Sequence, residues 1–414
     1  MDKLIVIGGG PAGLAAAASA VDAGVSPEDI LLLERDDSLG GILNQCIHAG
    51  FGLHIFSEEL TGPEYASRYI DRLHEREIPY VTDAMVLSLN ADRELTYVSP
   101  KDGFIRLKAS AVVIATGCRE RTRGQIMIPG TRPAGIFTAG SAQRFVNMEN
   151  KMPGKRAVIL GSGDIGLIMA RRLTLEGAKV ECVAELMNYC GGLARNVAQC
   201  LNDFDIPLLL SHTVTDILGK SRVEGVKISQ VDENRRPIPA TEKIVPCDTL
   251  LLSVGLIPEN ELAREAGVVI DPVTGGAVVD QYNQTTAEGI FACGNALQVH
   301  DLVDNVTLEA EAAGAAAARY ALSGTKTVNY VATTPGDNVR YIVPHKIDLG
   351  GSGDVKLSFR VTSTIRGCDT VIKSGSKELR RIRKRVVTPG EMESATVKIS
   401  DIDAPVSVSI EERA

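Results

Sequence analysis

The chain has 414 residues, 44% hydrophobic and 23% charged, with 44 Lys+Arg against 52 Asp+Glu and a net charge of −8. That length sets an expectation of two or three globular domains. The acidic balance argues against non-specific binding to nucleic acid or to an anionic membrane. The cysteines, Cys46, Cys118, Cys182, Cys190, Cys200, Cys247, Cys293 and Cys368, form no CxxC and no close metal-type pair. This excludes a disulfide scaffold and any evident zinc or iron–sulfur site.

An apolar run from Leu4 breaks into Gly8-Gly9-Gly10-Pro11-Ala12-Gly13 and then enters an Ala-rich helix. The spacing is Gly-x-Gly-x-x-Gly. Gly8 allows the turn off a strand, Gly10 lets the backbone approach a pyrophosphate, and Gly13 lets helix and strand pack closely. The pyrophosphate would sit on the free N–H groups at the helix start. A second strand, 30–33, ends at Glu34, placed to hold a ribose hydroxyl. No Gly-Lys-Ser/Thr follows, so a triphosphate-binding loop is excluded. The uncharged stretch 4–21 holds four glycines and a proline, which rejects a membrane span. No basic segment or cleavage signal stands before it, so a cytoplasmic location is expected.

Arg35 follows the acid, and Gly40-Gly41-Ile42 suits a loop passing close to a cofactor. The next loop, 43–52, carries Asn44, Gln45, Cys46 and His48 between glycines and could face a flavin ring; His48 and His54 also suit structural roles. Residues 63–76 have the spacing of an amphipathic helix, with Ala66, Tyr69, Ile70 and Leu73 on one face. Strand-like segments run to Lys108. A buried strand at 112–117 ends in Ala115-Thr116-Gly117, before the charged loop Cys118-Arg119-Glu120-Arg121.

Residues 157–166 repeat the opening device, with Gly161, Gly163, Asp164, Ile165 and Gly166. Gly161 minus Gly8 gives a period of 153 residues, a domain-scale duplication. A helix to 175 and a strand at 180–183 lead to Glu185, the second ribose acid. The strand at 250–258, with Gly255, echoes 112–117. Residues 289–295 form a strand and turn ending in Gly294-Asn295, and an Ala-rich helix spans about 306–320. From about 324 the period becomes two: Leu357, Phe359 and Val361; Val397 with Ile399; Val406, Val408 and Ile410. That pattern is a small antiparallel sandwich, with the basic run 380–385 on a solvated strand face.

With these motifs in this order, the first ~325 residues resemble the pyridine nucleotide–disulfide oxidoreductases, flavoproteins that bind two dinucleotides. The resemblance implies an α/β fold. An FAD-binding doubly wound domain (1–150 and 259–325) is interrupted by an NAD-binding Rossmann-like domain (151–258) and followed by a C-terminal antiparallel β-sandwich (326–414). Gly8, Gly10, Pro11, Ala12, Gly13, Glu34, Arg35, Gly41, Ile42, Asn44, Ala115, Thr116, Gly117, Gly294 and Asn295 would serve FAD. Gly161, Gly163, Asp164, Ile165, Gly166, Glu185 and Gly255 would serve NAD(H). The family's redox cysteine pair is missing after Gly41, and Asn295 stands where the family has Asp. The chain is most similar to FAD/NAD subunits of dye-linked amino-acid or glycerol-3-phosphate dehydrogenase clusters. That placement implies an electron-transfer role beside a small iron–sulfur protein and a dehydrogenase subunit, with no nucleic acid, metal or integral membrane segment. His300, with His48 behind it, is the choice for a general acid or base. A self-contained flavin oxidoreductase acting on a small substrate or quinone, and a non-enzymatic scaffold or redox sensor, are the alternatives.

Overall fold

The opening strand Lys3–Ile7 is apolar and buried on both faces, as a central parallel strand must be. The structure, a computed structural model, describes residues 2–324 and 328–413; the expected domain boundary at 325/326 lies outside the described residues. Lys3–Ile7 pairs in parallel with Ile30–Leu33 on one side and with the end of Gly103–Ile114 on the other. Tyr80–Val81 and Ile290–Ala292 extend the two flanks. The strand expected at 112–117 is thus the tail of a longer one ending at Ile114, and Ala115, Thr116 and Gly117 lie beyond that end.

Helices Pro11–Asp22, Gly62–Glu75 and Val303–Ser323 cover one face of this sheet. Their alanines let helices meet closely: a Cβ on Gly314 would overlap the Ala16 carbonyl. Gly62–Glu75 starts one residue before the expected 63. Its start is fixed by a capping box between Thr61 and Glu64, with Pro63 in the first turn. It buries Tyr65, Ala66, Tyr69 and Leu73, with Ile70 packed at the margin. Val303–Ser323 exceeds the expected 306–320 at both ends. The sheet continues from Gly103–Ile114 through Glu94–Ser99 and Met85–Leu89, and a second core joins Ile5, Ile7, Leu31 and Leu33 to Leu89, Leu95, Ala263, Val279 and Val343.

By its contacts the chain forms two units, Met1–Cys118 with Pro258–Ala414, and Arg119–Ile257. Residues 119–150, expected in the first domain, fall in the second unit. Ile136–Thr138 pairs in parallel with Thr249–Leu252, and helix Ala139–Asn147 buries Ala139, Ala142 and Val146 in that unit's core. The parallel order there is Ile136–Thr138, Thr249–Leu252, Arg156–Leu160, Lys179–Glu185, Leu208–Leu210. The strand expected at 250–258 is two, Thr249–Leu252 and Leu256–Pro258, separated at Gly255. Cys118–Glu120, expected as a loop, is a short strand paired with Leu256–Pro258.

The C-terminal segment packs two sheets over Leu357, Phe359, Val361, Val397, Val406, Val408 and Ile410. It departs from the antiparallel expectation at one place. Thr333–Pro335 runs parallel to Val406–Val408, because no hairpin joins these first and last strands to impose the opposite sense. Ile399 is buried but sits in a 3₁₀ turn, Ile399–Asp401. The basic run lies on the sheet-edge strand Lys377–Val387, where Arg381 pairs with Glu378 and Glu411, and Lys384 with Glu393. Charges on an edge strand oppose edge-to-edge association.

Candidate dinucleotide sites

Gly8 turns the chain with φ of 110°, and its N–H donates to Leu33 O at 2.8 Å. A Cβ at Gly8 would overlap the Ala115 carbonyl, and one at Gly13 would overlap the Gly8 carbonyl. The protein's own packing therefore requires both glycines. Gly10 differs: a Cβ there meets only Gly41 Cα, at 3.9 Å, so it would point into open space. Gly10 is the N-cap of Pro11–Asp22 and no side chain caps that end. Its first-turn N–H groups are left for an anion.

Glu34 is 5% exposed. Its Oε2 accepts the Gly9 N–H at 2.5 Å and its Oε1 the Asp36 N–H at 2.8 Å. A carboxylate offers roughly four acceptor sites, so two remain for a ribose. Gly40 N–H donates to Gly9 O at 2.9 Å, which brings the Gly40-Gly41 loop against Gly10. Asn44 Nδ2 fixes that loop through Leu39 O at 3.0 Å, while Arg35 and Ile42 are exposed. The late motif returns to the same cradle: Gly294, at φ 64°, would place a Cβ 2.8 Å from Ala12 Cβ. Asn295 Oδ1 accepts the His300 N–H at 3.0 Å, and its Nδ2 lies 3.6 Å from Cys118 Sγ. Thr116 Oγ1 donates to Glu259 O at 2.7 Å, and Gly117 has φ of 72°.

The second unit repeats the device. Gly161 N–H donates to Ala184 O at 2.7 Å, and a Cβ on Gly161 would overlap the Ser253 carbonyl, as Gly8 does with Ala115. Gly163 is an N-cap with no side-chain cap, and Gly166 N–H donates to Ser253 Oγ at 3.1 Å. Glu185 accepts from Ser162 N–H at 2.8 Å, Ser162 Oγ at 2.6 Å and Met187 N–H at 2.8 Å. Ser162 stands where the first copy has Gly9. Asp164 Oδ1 accepts from Leu193 N–H at 2.8 Å and Asn196 Nδ2 at 2.6 Å. These bonds tie the helix start to the neighbouring loop. Ile165 packs at the core margin, and Gly255 has φ of 102°.

His48 and His300, the expected acid–base residues, and the neighbouring Cys46 have contrasting settings. Cys46 Sγ lies 3.3 Å from Ile42 O, and burial pushes its thiol up to about 12. None of the eight cysteines is in a disulfide. His48 is half-buried, its ring 5.0 Å from that of Phe51 and its Nδ1 3.1 Å from Ala49 O. The His300 side chain is 3% exposed, with Nε2 3.2 Å from Glu309 Oε1. That oxygen also accepts the Gly294 N–H at 2.8 Å, and the histidine contact is proximity without an aligned hydrogen bond. Glu309 Oε2 accepts from Gln298 Nε2 at 2.8 Å. Sequence reasoning passed over Glu309; the signal was an acid on the alanine face of a helix, where only a polar partner justifies it. Among the described residues no His, Cys, Asp and Glu cluster is placed to hold a metal ion, and no helix is long and apolar enough to cross a membrane.

The family described as pyridine nucleotide-disulphide oxidoreductase matches residues 2–317. One relative, an opine oxidase subunit from Agrobacterium tumefaciens, is 25% identical over 352 residues, 79% of this chain and 66% of that protein. The ferredoxin reductase component of chlorobenzene dioxygenase from Cupriavidus is 31% identical over 228 residues, 54% of this chain and 51% of that protein. The chain thus spans about half to two thirds of these relatives' lengths. Among solved structures, thioredoxin reductase of T. acidophilum superposes with a TM-score of 0.63 at 22% identity, covering 78% of this chain and 99% of that one. An NAD-dependent persulfide reductase from A. fulgidus gives 0.59 at 20% identity, covering 96% and 73%. These two likenesses show the fold.

Proposed function

The chain belongs to the pyridine nucleotide-disulphide oxidoreductase family, whose members bind FAD and NAD(P)H, and from that premise we propose that it transfers hydride between NAD(H) and FAD as the electron-transfer subunit of a multi-subunit dehydrogenase. The observation that carries this reading is a pair of similar cradles on a chain that has no CxxC pair. Each cradle has a glycine N-cap at a helix start and a buried carboxylate, and the cysteine pair that disulfide reduction requires is missing.

FAD would rest on Gly10 and the first turn of Pro11–Asp22, with its ribose on Glu34 and the late Gly294-Asn295 turn closing the same cradle. NAD(H) would rest on Gly163 and the first turn of Asp164–Leu175, with its ribose on Glu185. The flavin supplies the hydride chemistry when bound; the protein supplies orientation and electrostatics. Glu185 disfavours a 2′-phosphate, and Leu186, Met187 and Asn188 bring no cation to offset that, which supports NAD(H) over NADP(H). The partners in this reading are a small iron–sulfur protein and a dehydrogenase subunit. Dependence on NAD(H) supports work in the cytoplasm. The names of two relatives, one a reductase component and the other an oxidase subunit, support a partner-dependent role.

Steady-state assays test the reading. With NADH the purified chain should reduce a dye, yet leave amine and alcohol substrates untouched until a partner protein is added. Oxidation of a carbon substrate by the chain alone refutes the partner-dependent role and favours a self-contained oxidoreductase.

A further inference from the structure

Residues 297–302 join the late glycine turn to helix Val303–Ser323, and the C-terminal sandwich holds this loop from outside. Arg360, on strand Asp354–Val361, donates through Nη2 to Val299 O at 3.1 Å and to Asp301 Oδ1 at 2.5 Å. Through Nη1 it donates to Pro389 O at 3.2 Å and Gly390 O at 2.8 Å. Asp301 Oδ2 accepts the Met392 N–H at 2.7 Å. The two side chains are 14% and 18% exposed.

His300 lies between the two clamped residues and turns inward against Glu309, which holds the Gly294 N–H. The contacts therefore run without a gap from the sandwich, through Arg360, to the turn that closes the first cradle. A mostly buried ion pair adds little net stability over apolar packing, yet removing one partner strands the other charge. Its geometry fixes register: the planar guanidinium meets four oxygens from two segments, which an ammonium cannot do.

We propose that Arg360 and Asp301 are positioning residues of the flavin site, through which the C-terminal sandwich sets the loop carrying His300 and the late glycine. This rests on reading the first cradle as the FAD site. It gives the sandwich a part in the site.

The test uses the full chain with FAD and the variants Asp301→Asn, Arg360→Gln and their combination. Asp301→Asn keeps the side chain's shape, so it remains decisive should Arg360→Gln not fold. Each single change should weaken FAD binding about tenfold and alter the visible flavin absorption and circular dichroism, and the double variant should be no worse than the worse single. Unchanged FAD affinity and spectrum in Asp301→Asn overturns the proposal. So does a lowered melting temperature with an unaltered flavin spectrum, which assigns the pair to packing alone. A wild-type chain that takes up no FAD refutes the cofactor reading itself, whereas a wild type that binds FAD beside indistinguishable variants refutes only the clamp.

Discussion

Replacing Gly10 by alanine separates the two uses of glycine in the first turn. The backbone there is extended, φ −77° and ψ −175°, which any residue adopts, and the added methyl meets nothing in the protein closer than 3.9 Å. Alanine as an N-cap costs roughly 0.5–1.5 kcal/mol relative to glycine. Restricting the unfolded chain returns about 0.4–1 kcal/mol. Stability without FAD should therefore stay within about 1 kcal/mol, a melting shift of no more than about 4 °C for a unit this large. In the proposed FAD site the methyl would occupy the space a pyrophosphate needs. Overfilling a close-packed contact costs about 1–3 kcal/mol, or roughly five- to 150-fold in FAD affinity. Thermal melts of the FAD-free protein and fluorescence titration with FAD measure the two quantities separately. Gly13→Ala is the control: its methyl would overlap the Gly8 carbonyl, so it should lower stability whether or not FAD is present. Wild-type FAD affinity in Gly10→Ala, or a stability loss matching that of Gly13→Ala, would refute the assignment of Gly10 to the ligand.

Glu185→Ser should reduce the NADH-over-NADPH ratio of kcat/KM by roughly tenfold or more, since a carboxylate beside a phosphate is replaced by a neutral donor; an unchanged ratio would remove Glu185 from the ribose site. Burial pushes the Cys46 thiol up to about 12, so little thiolate is expected at pH 8. Mass-spectrometric labelling with iodoacetamide should therefore spare it at that pH, and Cys46→Ser should keep NADH–dye activity. Burial holds His345 below its ordinary value, and its Nδ1 accepts the Val279 N–H at 3.2 Å, so the folded state keeps it neutral. The unfolded state then binds the extra proton, and stability should fall as pH drops through about 6.5. Melting curves at pH 7.5 and 5 should show this loss, and His345→Gln should flatten it.

The glycine turns were legible because their constraints are local and mechanical. Gly13 faces the Gly8 carbonyl five residues back, so spacing carried that constraint; Gly8 faces Ala115, 107 residues on, and was read from the strand-to-helix turn it makes. Ile30–Leu33 was legible for a similar reason, being an unbroken apolar run ending at an acid. Residues 119–150 were not. Ile136–Thr138 is three residues long, too short for a period to show, and it joins its sheet by pairing with a strand more than a hundred residues later. The Arg360–Asp301 pair spans 59 residues and has no sequence pattern. Glu309 sat in a run of alanines whose regularity drew attention to packing rather than to the acid within it.

The duplicated turns agree where the protein packs on itself and differ where a ligand would be held. Gly8 and Gly161 meet the same kind of carbonyl, and Glu34 and Glu185 each accept the N–H two residues on. The difference is Gly9 against Ser162. The serine hydroxyl adds a third hydrogen bond to Glu185 and also accepts the Gly191 N–H at 2.8 Å. Of roughly four acceptor sites per carboxylate, Glu34 would keep two for a ribose in the proposed sites and Glu185 one. A hydrogen bond to a charged group contributes about 1.5–3 kcal/mol, so one fewer acceptor weakens a nucleotide by roughly tenfold to 150-fold. That asymmetry suits the two tasks of the proposed function. A flavin that stays through every turnover gains from both ribose contacts, whereas a nicotinamide dinucleotide that must arrive and leave each cycle is released faster from a carboxylate already engaged by the protein.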